Sequence, residues 1–443
     1  MIAVNRIRIF AVALAVILLL SGCSFRTVNE FYSLPERSKG YTNLQSVIQS
    51  TMSGWEYAAP QSGEYQQTLQ TADLDGDGNN EYLLFAKSNS AEKPLRIFIF
   101  SGDGGEYWLQ DTIECIGSSF DQVAYVKIQQ GKGVQLIVGH QVSDQVPKSI
   151  SVYQMLNGEM ERILTTNYSR FLSCDLDQNG LSEVFVIHPD VENTTKCVAE
   201  LYGSLNGSIQ RSQEVSLSAS VESIKRIVVG KLNDGPSAVY VASGLDGDTM
   251  ITDACALIDG QLTNVSLSAE SGTSVQTIRN YYVYADDIDG DGVLELPRLV
   301  SLATGASADS DETQYVIQWY ALNSDGSTVD KVYTYHNFVG RWYLQVDPKI
   351  AGDLTAVQRG NSYEFGLWNE KKQKSQKLLT LYVLTGQRRE EQAMEDNRFV
   401  VYKNESTVYA VKLEVASAAY GMTQESLIDS FHLIVDDWNS GMM

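Results

Sequence analysis

The 443-residue sequence is poor in the residues that mark several large classes of protein. It contains only 4 histidines, 8 prolines and 5 cysteines. The histidines lie far apart in the chain and form no HExxH or similar spacing, which argues against a zinc enzyme. Positive charge is also scarce, with 33 lysines and arginines against 55 acidic residues and a formal net charge of −22. Because such a surface repels phosphate backbones, we predict no nucleic-acid partner.

The N-terminus has the pattern of a bacterial export signal. Arg6 and Arg8 precede the apolar run IFAVALAVILLL, which is followed by Leu-Ser-Gly-Cys. Because a membrane-spanning helix needs about 20 apolar residues, this shorter run predicts a signal peptide over residues 1–22. The alternative is an uncleaved anchor helix. The LSGC segment resembles a lipobox, and the resemblance implies a lipid on Cys23 and a location on the extracytoplasmic face of the cell membrane. The polar residues that follow, with a single proline, predict a tether over residues 23–40.

The four remaining cysteines are irregularly spaced. They are Cys115, Cys174, Cys197 and Cys255. An exported protein could oxidise them, but the spacing predicts no disulfide framework. None has the His and Asn context of a catalytic thiol, so buried free thiols are the favoured interpretation.

An acidic motif occurs three times in the chain. Each copy reads Asp-x-Asp-x-Asp/Asn-Gly-x-x-Glu and precedes an apolar run: DLDGDGNNE (Asp73–Glu81), DLDQNGLSE (Asp175–Glu183) and DIDGDGVLE (Asp287–Glu295). Their starts are 102 and 112 residues apart, about twice a 50-residue unit. Degenerate copies without the acidic residues lie between them, around Lys127 and Lys231. We call the three motifs the first, second and third acidic loops.

A second repeat has the same period. Dipeptides that tolerate positive φ separate strand-like runs at Asp103-Gly104, Asn157-Gly158, Asn206-Gly207, Asp259-Gly260 and Asp325-Gly326. Such dipeptides are typical of β-hairpin turns. Each unit therefore predicts four strands, and five units fill residues 66–336. The fold predicted is mainly β, a β-propeller of about five four-stranded blades, with six or seven blades or a linear β-solenoid as alternatives.

The acidic loops have the chemistry of calcium sites. Aspartates at positions 1, 3 and 5, a carbonyl at position 7 and a glutamate at position 9 supply the oxygens that Ca²⁺ prefers. The candidate ligands are Asp73, Asp75, Asp77, Asn79 and Glu81 in the first loop, Asp175, Asp177, Asn179, Leu181 and Glu183 in the second, and Asp287, Asp289, Asp291, Val293 and Glu295 in the third. We expect up to three structural calcium ions, the second site being weakest because Asn179 replaces a carboxylate. The alternative is a set of ion-free Asp/Gly turns.

These loops resemble the repeats of FG-GAP/VCBS-type propellers. The resemblance implies calcium-binding loops and a binding or scaffold role. Around the propeller, the sequence predicts a short amphipathic helix and lead-in over residues 41–65, capped near Asn43, and an α+β domain over residues 337–443. The last helix of that domain is expected to start near Thr423 and to bury Leu427, Ile428, Phe431, Ile434, Val435 and Trp438 on one face.

No catalytic motif is found in the sequence. We therefore favour a lipid-anchored binding or scaffold protein at the cell surface, with an unidentified protein or glycan ligand, over an enzyme. The alternative is an exported polysaccharide-cleaving hydrolase or lyase, in which aromatic residues such as Trp108, Trp319 and Trp342 would stack on sugars.

Overall fold

A computed structural model describes residues 39–434, except for residues 132, 144–145, 194, 206, 282 and 303–314. The predicted signal peptide (1–22), Cys23, nearly all of the predicted tether (23–40) and the last predicted helical positions Val435 and Trp438 lie outside the described residues. Within the described part of the chain, none of the helices combines the length and apolar character that crossing a membrane requires.

Six antiparallel sheets follow one another along the described chain. The first contains β1 (Glu56–Tyr57), β2 (Leu69–Ala72), β3 (Glu81–Lys87), β4 (Leu95–Asp103) and β5 (Glu106–Cys115). The second contains β6 (Ser119–Val126), β7 (Gln135–Gln141), β8 (Lys148–Leu156) and β9 (Glu159–Tyr168). The third contains β10 (Arg170–Cys174), β11 (Glu183–Pro189), β12 (Cys197–Leu205) and β13 (Ser208–Ser216).

The last three sheets follow the same order, with additions near the C-terminus. The fourth contains β14 (Ile224–Lys231), β15 (Ser237–Gly244), β16 (Met250–Ile258) and β17 (Gln261–Asn264). The fifth contains β18 (Glu295–Ser301), β19 (Tyr315–Leu322), β20 (Thr328–Asn337), β21 (Trp342–Val346) and β27 (Phe431–Leu433). The sixth contains β22 (Leu354–Arg359), β23 (Ser362–Asn369), β24 (Lys374–Thr385), β25 (Phe399–Lys403) and β26 (Thr407–Leu413).

Helices are few and short in the described chain. They are α1 (Lys39–Thr51), α2 (Pro348–Ala351), α3 (Arg389–Gln392) and α4 (Gln424–Ser430), with single 3-10 segments at Val221–Ser223, Val275–Thr277, Glu395–Asn397 and Val415–Tyr420. The prediction of a mainly β protein is therefore confirmed.

The hairpin dipeptides explain the strand registers. Leu156 pairs with Glu159 across Asn157 and Gly158, whose φ angles are 53° and 82°. Asp259 and Gly260, with φ angles of 51° and 74°, make the matching turn between β16 and β17. Two consecutive residues with positive φ form the turn whose twist matches that of the strands it joins. The sequence prediction of these hairpins is confirmed.

The core lies between consecutive sheets. In β7, Leu136 and Val138 pack with the first sheet, whereas Ile137 packs with the third. Successive side chains of a strand point to opposite faces, so an interior strand that is apolar throughout is buried on both sides. Further clusters join the third sheet to the fourth, the fourth to the fifth and the fifth to the sixth. Burial of each Leu, Ile or Val contributes about 1.5–3 kcal/mol.

The outer faces of the first and sixth sheets are covered differently. Leu44 of α1 packs on Leu84 and Phe98 of the first sheet. Ala393, just after α3, packs on Leu384 and Val408 of the sixth. Among the described residues, no hydrophobic cluster joins the sixth sheet to the first. The described core is therefore a series of interfaces between neighbouring sheets, with a helix over each outer face.

Both predicted helix boundaries near the termini need correction. Helix α1 already begins at Lys39, and Asn43 does not cap it, because the Asn43 side-chain oxygen accepts a hydrogen bond from the backbone N–H of Tyr107 at 2.7 Å. Helix α4 begins at its Thr423 cap as expected but ends at Ser430. Phe431, predicted to be helical, instead starts β27 and pairs with Leu344 of β21, which buries its ring.

Candidate metal centres

Each acidic loop leads into a strand that starts with its glutamate. Glu81, Glu183 and Glu295 are the first residues of β3, β11 and β18. Each side chain turns back and accepts a hydrogen bond from the backbone N–H of loop position 2, at 2.8, 2.9 and 3.1 Å. Their exposed fractions are only 4%, 7% and 0%. The glutamate therefore closes the base of each loop, and we call it the closing glutamate.

The aspartate at position 1 organises the rest of each loop. In the first loop, Asp73 accepts hydrogen bonds from the N–H groups of Gly76 and Gly78 at 2.7 and 3.1 Å. Both glycines have positive φ, 82° and 92°, which other residues adopt at a cost. Asp287 makes the same two contacts in the third loop, at 2.8 and 2.9 Å. The backbone thus winds around the carboxylates and holds them close together.

Three groups of carboxylates are brought together within 4.8 Å. The clusters are Asp73 with Asp75 and Glu81, Asp175 with Asp177 and Glu183, and Asp287 with Asp289 and Asp291. The clusters offer only oxygen ligands, so three parts of the chain could hold a metal ion.

Counted over all three loops, nine of the eleven predicted carboxylates belong to the clusters, and the two outside them are Asp77 and Glu295. Asp77 instead accepts hydrogen bonds from the backbone and side-chain nitrogens of Asn79, at 2.7 and 3.2 Å. Asn179, the predicted weak ligand of the second loop, donates its side-chain N–H to Asp177 at 2.7 Å. The clusters consist of carboxylate oxygens only. They therefore do not test the backbone carbonyls of Asn79, Leu181 and Val293, which stay predicted ligands.

The closing glutamates are electrostatically unfavourable in the absence of a cation. Burial, together with the charges of the neighbouring aspartates, raises the pKa of Glu183 to about 7 and that of Glu295 to about 8, although a backbone hydrogen bond acts in the opposite direction. The pKa of Glu81 is raised by burial in the same way. Oε1 of Glu295 is buried and has no hydrogen-bond partner. An unpartnered carboxylate oxygen beside three aspartates is an arrangement that a bound cation would stabilise.

The third loop differs from the others in having a lysine beside it. Nζ of Lys331 lies 2.8 Å from Oδ2 of Asp291 and lowers the pKa of that carboxyl group. Burial and the charge of Asp291 raise the pKa of the neighbouring Asp289. Within the described residues, no lysine or arginine forms an ion pair with the first or second acidic loop. Lys331 therefore neutralises part of the charge of one cluster.

The second loop has a strained residue where the others have glycine. Gln178 occupies position 4 with φ of 59°, a conformation that costs free energy for a residue with a side chain. Its side-chain N–H groups lie 2.9 Å from the carbonyl of Gly235 and 3.2 Å from Oγ of Ser237. These contacts to the fourth sheet hold Gln178 in place and tie the second loop to its neighbour.

The second sheet has the same closing contact without the charge. Oε1 of Gln135 accepts a hydrogen bond from the backbone N–H of Ile128 at 2.7 Å, as each closing glutamate does from position 2. Gln135 follows Lys127 by eight residues, the spacing that separates Glu81 from Asp73. Aligning these pairs in the sequence would have revealed this equivalence, which the search for acidic residues missed.

The fourth sheet has lost the loop altogether. Lys231 pairs directly with Ser237, and the N–H of Leu232 donates to the carbonyl of Pro236 at 2.8 Å. Five residues connect the paired positions there, whereas eight connect Ala72 to its partner Glu81. The prediction that the copies around Lys127 and Lys231 keep the strands without the acidic ligands is confirmed.

Backbone hydrogen bonds place the acidic loops at the seams between sheets. The N–H of Val134, just before β7 of the second sheet, donates to the carbonyl of Asp73 at 3.0 Å. The N–H of Ser182 in the second loop donates to the carbonyl of Lys127 at 2.8 Å, and the N–H of Leu294 in the third donates to that of Lys231 at 3.1 Å. An ion bound in a loop would therefore stiffen the contact between two neighbouring sheets.

The other predicted side chains are mostly part of the core. The four described cysteines are free and buried, as expected. Trp319 and Trp342 have exposed fractions of 0%, so they cannot stack on a sugar from solvent. Trp108, by contrast, is 45% exposed on β5. Two of the three tryptophans that favoured a polysaccharide-cleaving enzyme are thus core residues.

No family model matches the chain, and no curated protein matches it. Solved structures that resemble it include the exotype rhamnogalacturonan lyase YesX, with 12% identity, a TM-score of 0.27 and alignment over 73% of this chain and 65% of the lyase. The Bacillus licheniformis rhamnogalacturonan lyase PL11 aligns at 12% identity with a TM-score of 0.29, over 73% of this chain and 72% of the lyase. The rhamnogalacturonan lyase YesW aligns at 13% identity with a TM-score of 0.31, over 73% of this chain and 64% of the lyase.

The chain thus spans just under two thirds of the length of the YesX and YesW lyases. A protein from Lactobacillus plantarum has a TM-score of 0.25 at 11% identity, over 72% of this chain and 85% of that protein. TM-scores this low give the likeness no weight for the fold or the function of this chain.

Proposed function

We propose that the three acidic loops bind Ca²⁺ and that the ions are structural. The observation that carries this proposal is the recurrence of one carboxylate arrangement at three places, with a closing glutamate that is buried beside its aspartates each time. In the third loop, the unpartnered Oε1 of Glu295 supplies an independent sign that a positive group is needed. Burying a carboxylate without a partner costs about 1–3 kcal/mol or more, which a bound cation would offset.

The donor set favours calcium over other ions. The clusters contain carboxylate oxygens and neither imidazole nor thiolate, which zinc prefers. Ca²⁺ accepts six to eight oxygens in flexible geometry, whereas Mg²⁺ demands a strict octahedron and retains water. In each loop the aspartates at positions 1 and 3 would hold the ion, and the closing glutamate, the position-7 carbonyl and water would complete its shell.

We further propose that the consecutive sheets are blades of an FG-GAP/VCBS-type propeller and that a lipid on Cys23 holds the protein at the extracytoplasmic face of the membrane. The face-to-face packing of neighbouring sheets and the position of each loop at a seam support the blade interpretation. On this proposal, calcium keeps the sheets in a fixed arrangement, and the protein acts as a binding or scaffold protein for a protein or glycan ligand.

Calorimetric titration of the full-length protein in detergent with CaCl₂ tests the metal sites. We expect heat of binding with a stoichiometry of up to three ions, reduced by one in each variant that loses two aspartates of one loop, such as D73N/D75N. The matched control is D246N/D248N, which removes two exposed aspartates from a loop without a closing glutamate. Absence of heat, or equal loss in the control, would show that the loops are ion-free turns.

The anchor has its own test. Cells that express the protein and are fed a labelled fatty acid should transfer the label to the wild-type chain and not to Cys23→Ala. Sedimentation of the wild type with membranes and release of the variant are expected in parallel. Equal labelling of both proteins would reject Cys23 as the attachment site, and this result is independent of the calcium sites.

A further inference from the structure

A groove between the second and third sheets is lined by polar side chains that bond to one another. Its volume is about 500 Å³, and the end of β9 forms one wall while β11, β12 and β13 form the other. The hydrogen-bonded side chains of the lining are Thr166, His188, Glu200, Tyr202 and Arg211. Within β11, His188 follows Glu183 by five residues, about 17 Å along the strand. The groove is therefore separate from the second acidic loop.

Glu200 stands at the centre of this lining and is only 5% exposed. Its Oε2 accepts a hydrogen bond from the hydroxyl group of Tyr202 at 2.6 Å. Its Oε1 lies 2.6 Å from Nη1 of Arg211 and 3.3 Å from Nε2 of His188. Burial raises the pKa of Glu200, but the three hydrogen bonds outweigh burial and the pKa lies below its ordinary value. Since Arg211 and His188 meet at one oxygen of an ionised carboxylate, one small ligand can reach both side chains.

The lining has more positive than negative groups. Nδ1 of His188 lies 3.0 Å from the carbonyl of Pro189, and its Nε2 faces the carboxylate of Glu200. Both partners only accept hydrogen bonds, so the two contacts together require a hydrogen on each ring nitrogen and a charged imidazolium. Arg211 also pairs with Glu214 at 3.1 Å, but both side chains are more than half exposed, and such pairs are weak. In a chain with a net charge of −22, this groove is a positive exception.

Two side chains of the groove keep donors for a ligand. Nη1 makes both ion pairs of Arg211, whereas its Nε and Nη2 have no partner among the described residues. These two nitrogens form one edge of the guanidinium, and the side chain is 54% exposed. Asn167 also lines the groove and is exposed, and its amide makes no hydrogen bond within the described part of the chain. The groove thus offers a charged pair of donors and a neutral amide.

We propose that this groove binds a sugar of the uronic-acid class. The carboxylate of such a sugar fits the unused edge of Arg211, because its two oxygens accept two parallel N–H groups. Its hydroxyl groups both donate and accept, as do the amide of Asn167 and the hydroxyl group of Thr166. A neutral sugar would leave the guanidinium edge unused, and a simple anion would leave the amide unused. This inference rests on the proposed role as a binding protein and gives the glycan ligand a charge and a site.

Saturation-transfer difference NMR of the full-length protein in detergent and CaCl₂ tests the groove. The probes are sodium D-glucuronate and sodium D-galacturonate, and the comparison ligands are D-glucose and sodium acetate. We expect a uronate to bind in the millimolar range and about tenfold more tightly than glucose or acetate. Absence of binding by both uronates, or equal binding of glucose or acetate, would overturn the proposal. Neither result would alter the heat of calcium binding, so the two proposals fail separately.

Arg211→Lys is the variant that separates ligand binding from structure, because it keeps a positive charge beside Glu200 and removes the paired edge. We expect uronate binding to weaken about tenfold, with a melting temperature near that of the wild type. The matched control is Arg162→Lys, the same replacement at an exposed position of β9 outside the groove, which should retain full affinity. Unchanged uronate affinity in R211K would show that the cluster only joins the two sheets.

Asn167→Ala keeps the proposal testable if R211K does not fold. The change breaks no side-chain hydrogen bond of the described protein and leaves the contacts of Glu200 intact. We expect uronate binding to weaken severalfold while the melting temperature stays the same. Unchanged affinity in N167A would contradict the assignment of the groove as the sugar site.

Discussion

The first, third and fifth sheets close a loop with a charged side chain, and the second sheet closes the equivalent loop with a neutral one. In the first, third and fifth sheets, a glutamate closes the loop by accepting a hydrogen bond from the backbone N–H of loop position 2, and aspartates lie close to that glutamate. In the second sheet, Gln135 accepts the equivalent N–H from Ile128, and Lys127 stands at position 1. The hydrogen bond alone therefore does not require an acid.

The comparison separates the structural part of the loop from the part that serves an ion. A glutamine satisfies the buried N–H without the cost of burying a charge. Where the chain uses glutamate, that cost is incurred three times, together with repulsion from the aspartates. Since the second sheet makes the same closing contact without a carboxylate, the carboxylates of the other three loops support the proposed cation sites.

Removal of calcium should have the largest effect. A site filled at a hundred times its dissociation constant stabilises the native state by about 2.7 kcal/mol, so three independent sites give about 8 kcal/mol. We expect the melting temperature to fall strongly when EDTA replaces CaCl₂ and to recover on addition of Ca²⁺. Scanning calorimetry measures both. A melting temperature that is equal in EDTA and in CaCl₂ would contradict the proposal that the carboxylates of the three loops bind calcium.

The next largest effect is the pH dependence of the protein in EDTA. The native pKa values of Glu183 and Glu295, about 7 and about 8, lie above the ordinary value of 4.5. The native state therefore binds more protons than the unfolded state in this range. The resulting stabilisation is complete below pH 4.5 and is lost as the pH rises through 7 and 8. We expect the free energy of unfolding by urea to fall by about 6 kcal/mol from pH 5 to pH 8, the sum of the contributions of the two glutamates.

The control for this pH dependence is E183Q/E295Q, which gives the third and fifth sheets the closing residue of the second. Its free energy of unfolding in EDTA should vary much less between pH 5 and pH 8. Saturating Ca²⁺ should also remove most of the decline in the wild type, because the ion favours the ionised glutamates. A wild-type stability that increases over this range would contradict the assigned pKa directions.

The repeat and the hairpins were predictable because they depend on local chemistry. Asn157 and Gly158 tolerate positive φ wherever they occur between strands, and the spacing of such pairs gave the four-strand unit. The aspartates and the closing glutamate were predictable for the same reason. The helix after Thr423 was predicted too long, because pairing of Phe431 with β21 is a tertiary contact that a helical periodicity does not contain.

Two further features were hidden from the sequence. Lys331 is 40 residues from Asp291, and only the pairing of β18, β19 and β20 brings the two side chains together. The cluster around Glu200 depends on the pairing of β11, β12 and β13, and no motif marks the positions of His188 and Arg211.

Giving the second sheet a closing glutamate in place of Gln135 should have an intermediate effect on stability. Gln135→Glu places a carboxylate at a position that is 1% exposed, without the aspartates that would hold an ion. We expect the free energy of unfolding at pH 8 to fall by about 1–3 kcal/mol. Gln130→Glu is the matched control, because it adds the same charge to the same turn at an exposed position. Urea denaturation measures both, and equal effects would mean that burial of the closing residue is unimportant.

The smallest effect is expected at Lys331, which distinguishes the third loop from the other two. Its ammonium group lies 2.8 Å from Asp291 and neutralises part of the negative charge that would attract a metal ion. Lys331→Gln should therefore tighten calcium binding at the third site about fivefold, equivalent to roughly 1 kcal/mol. Lys377→Gln, which breaks the 3.1 Å pair with Glu364 in the sixth sheet, changes the net charge equally and should leave that affinity nearly unchanged.

Calorimetric titration of the two lysine variants decides between two roles of the lysine. If the charge of Lys331 competes with the ion, K331Q binds Ca²⁺ more tightly than the wild type and K377Q does not. If Lys331 instead holds Asp291 in the geometry that the ion needs, K331Q binds more weakly. The second result would mean that the third site depends on Lys331 of β20 as well as on its own loop. The first and second sites would then differ from it, because they have no such lysine.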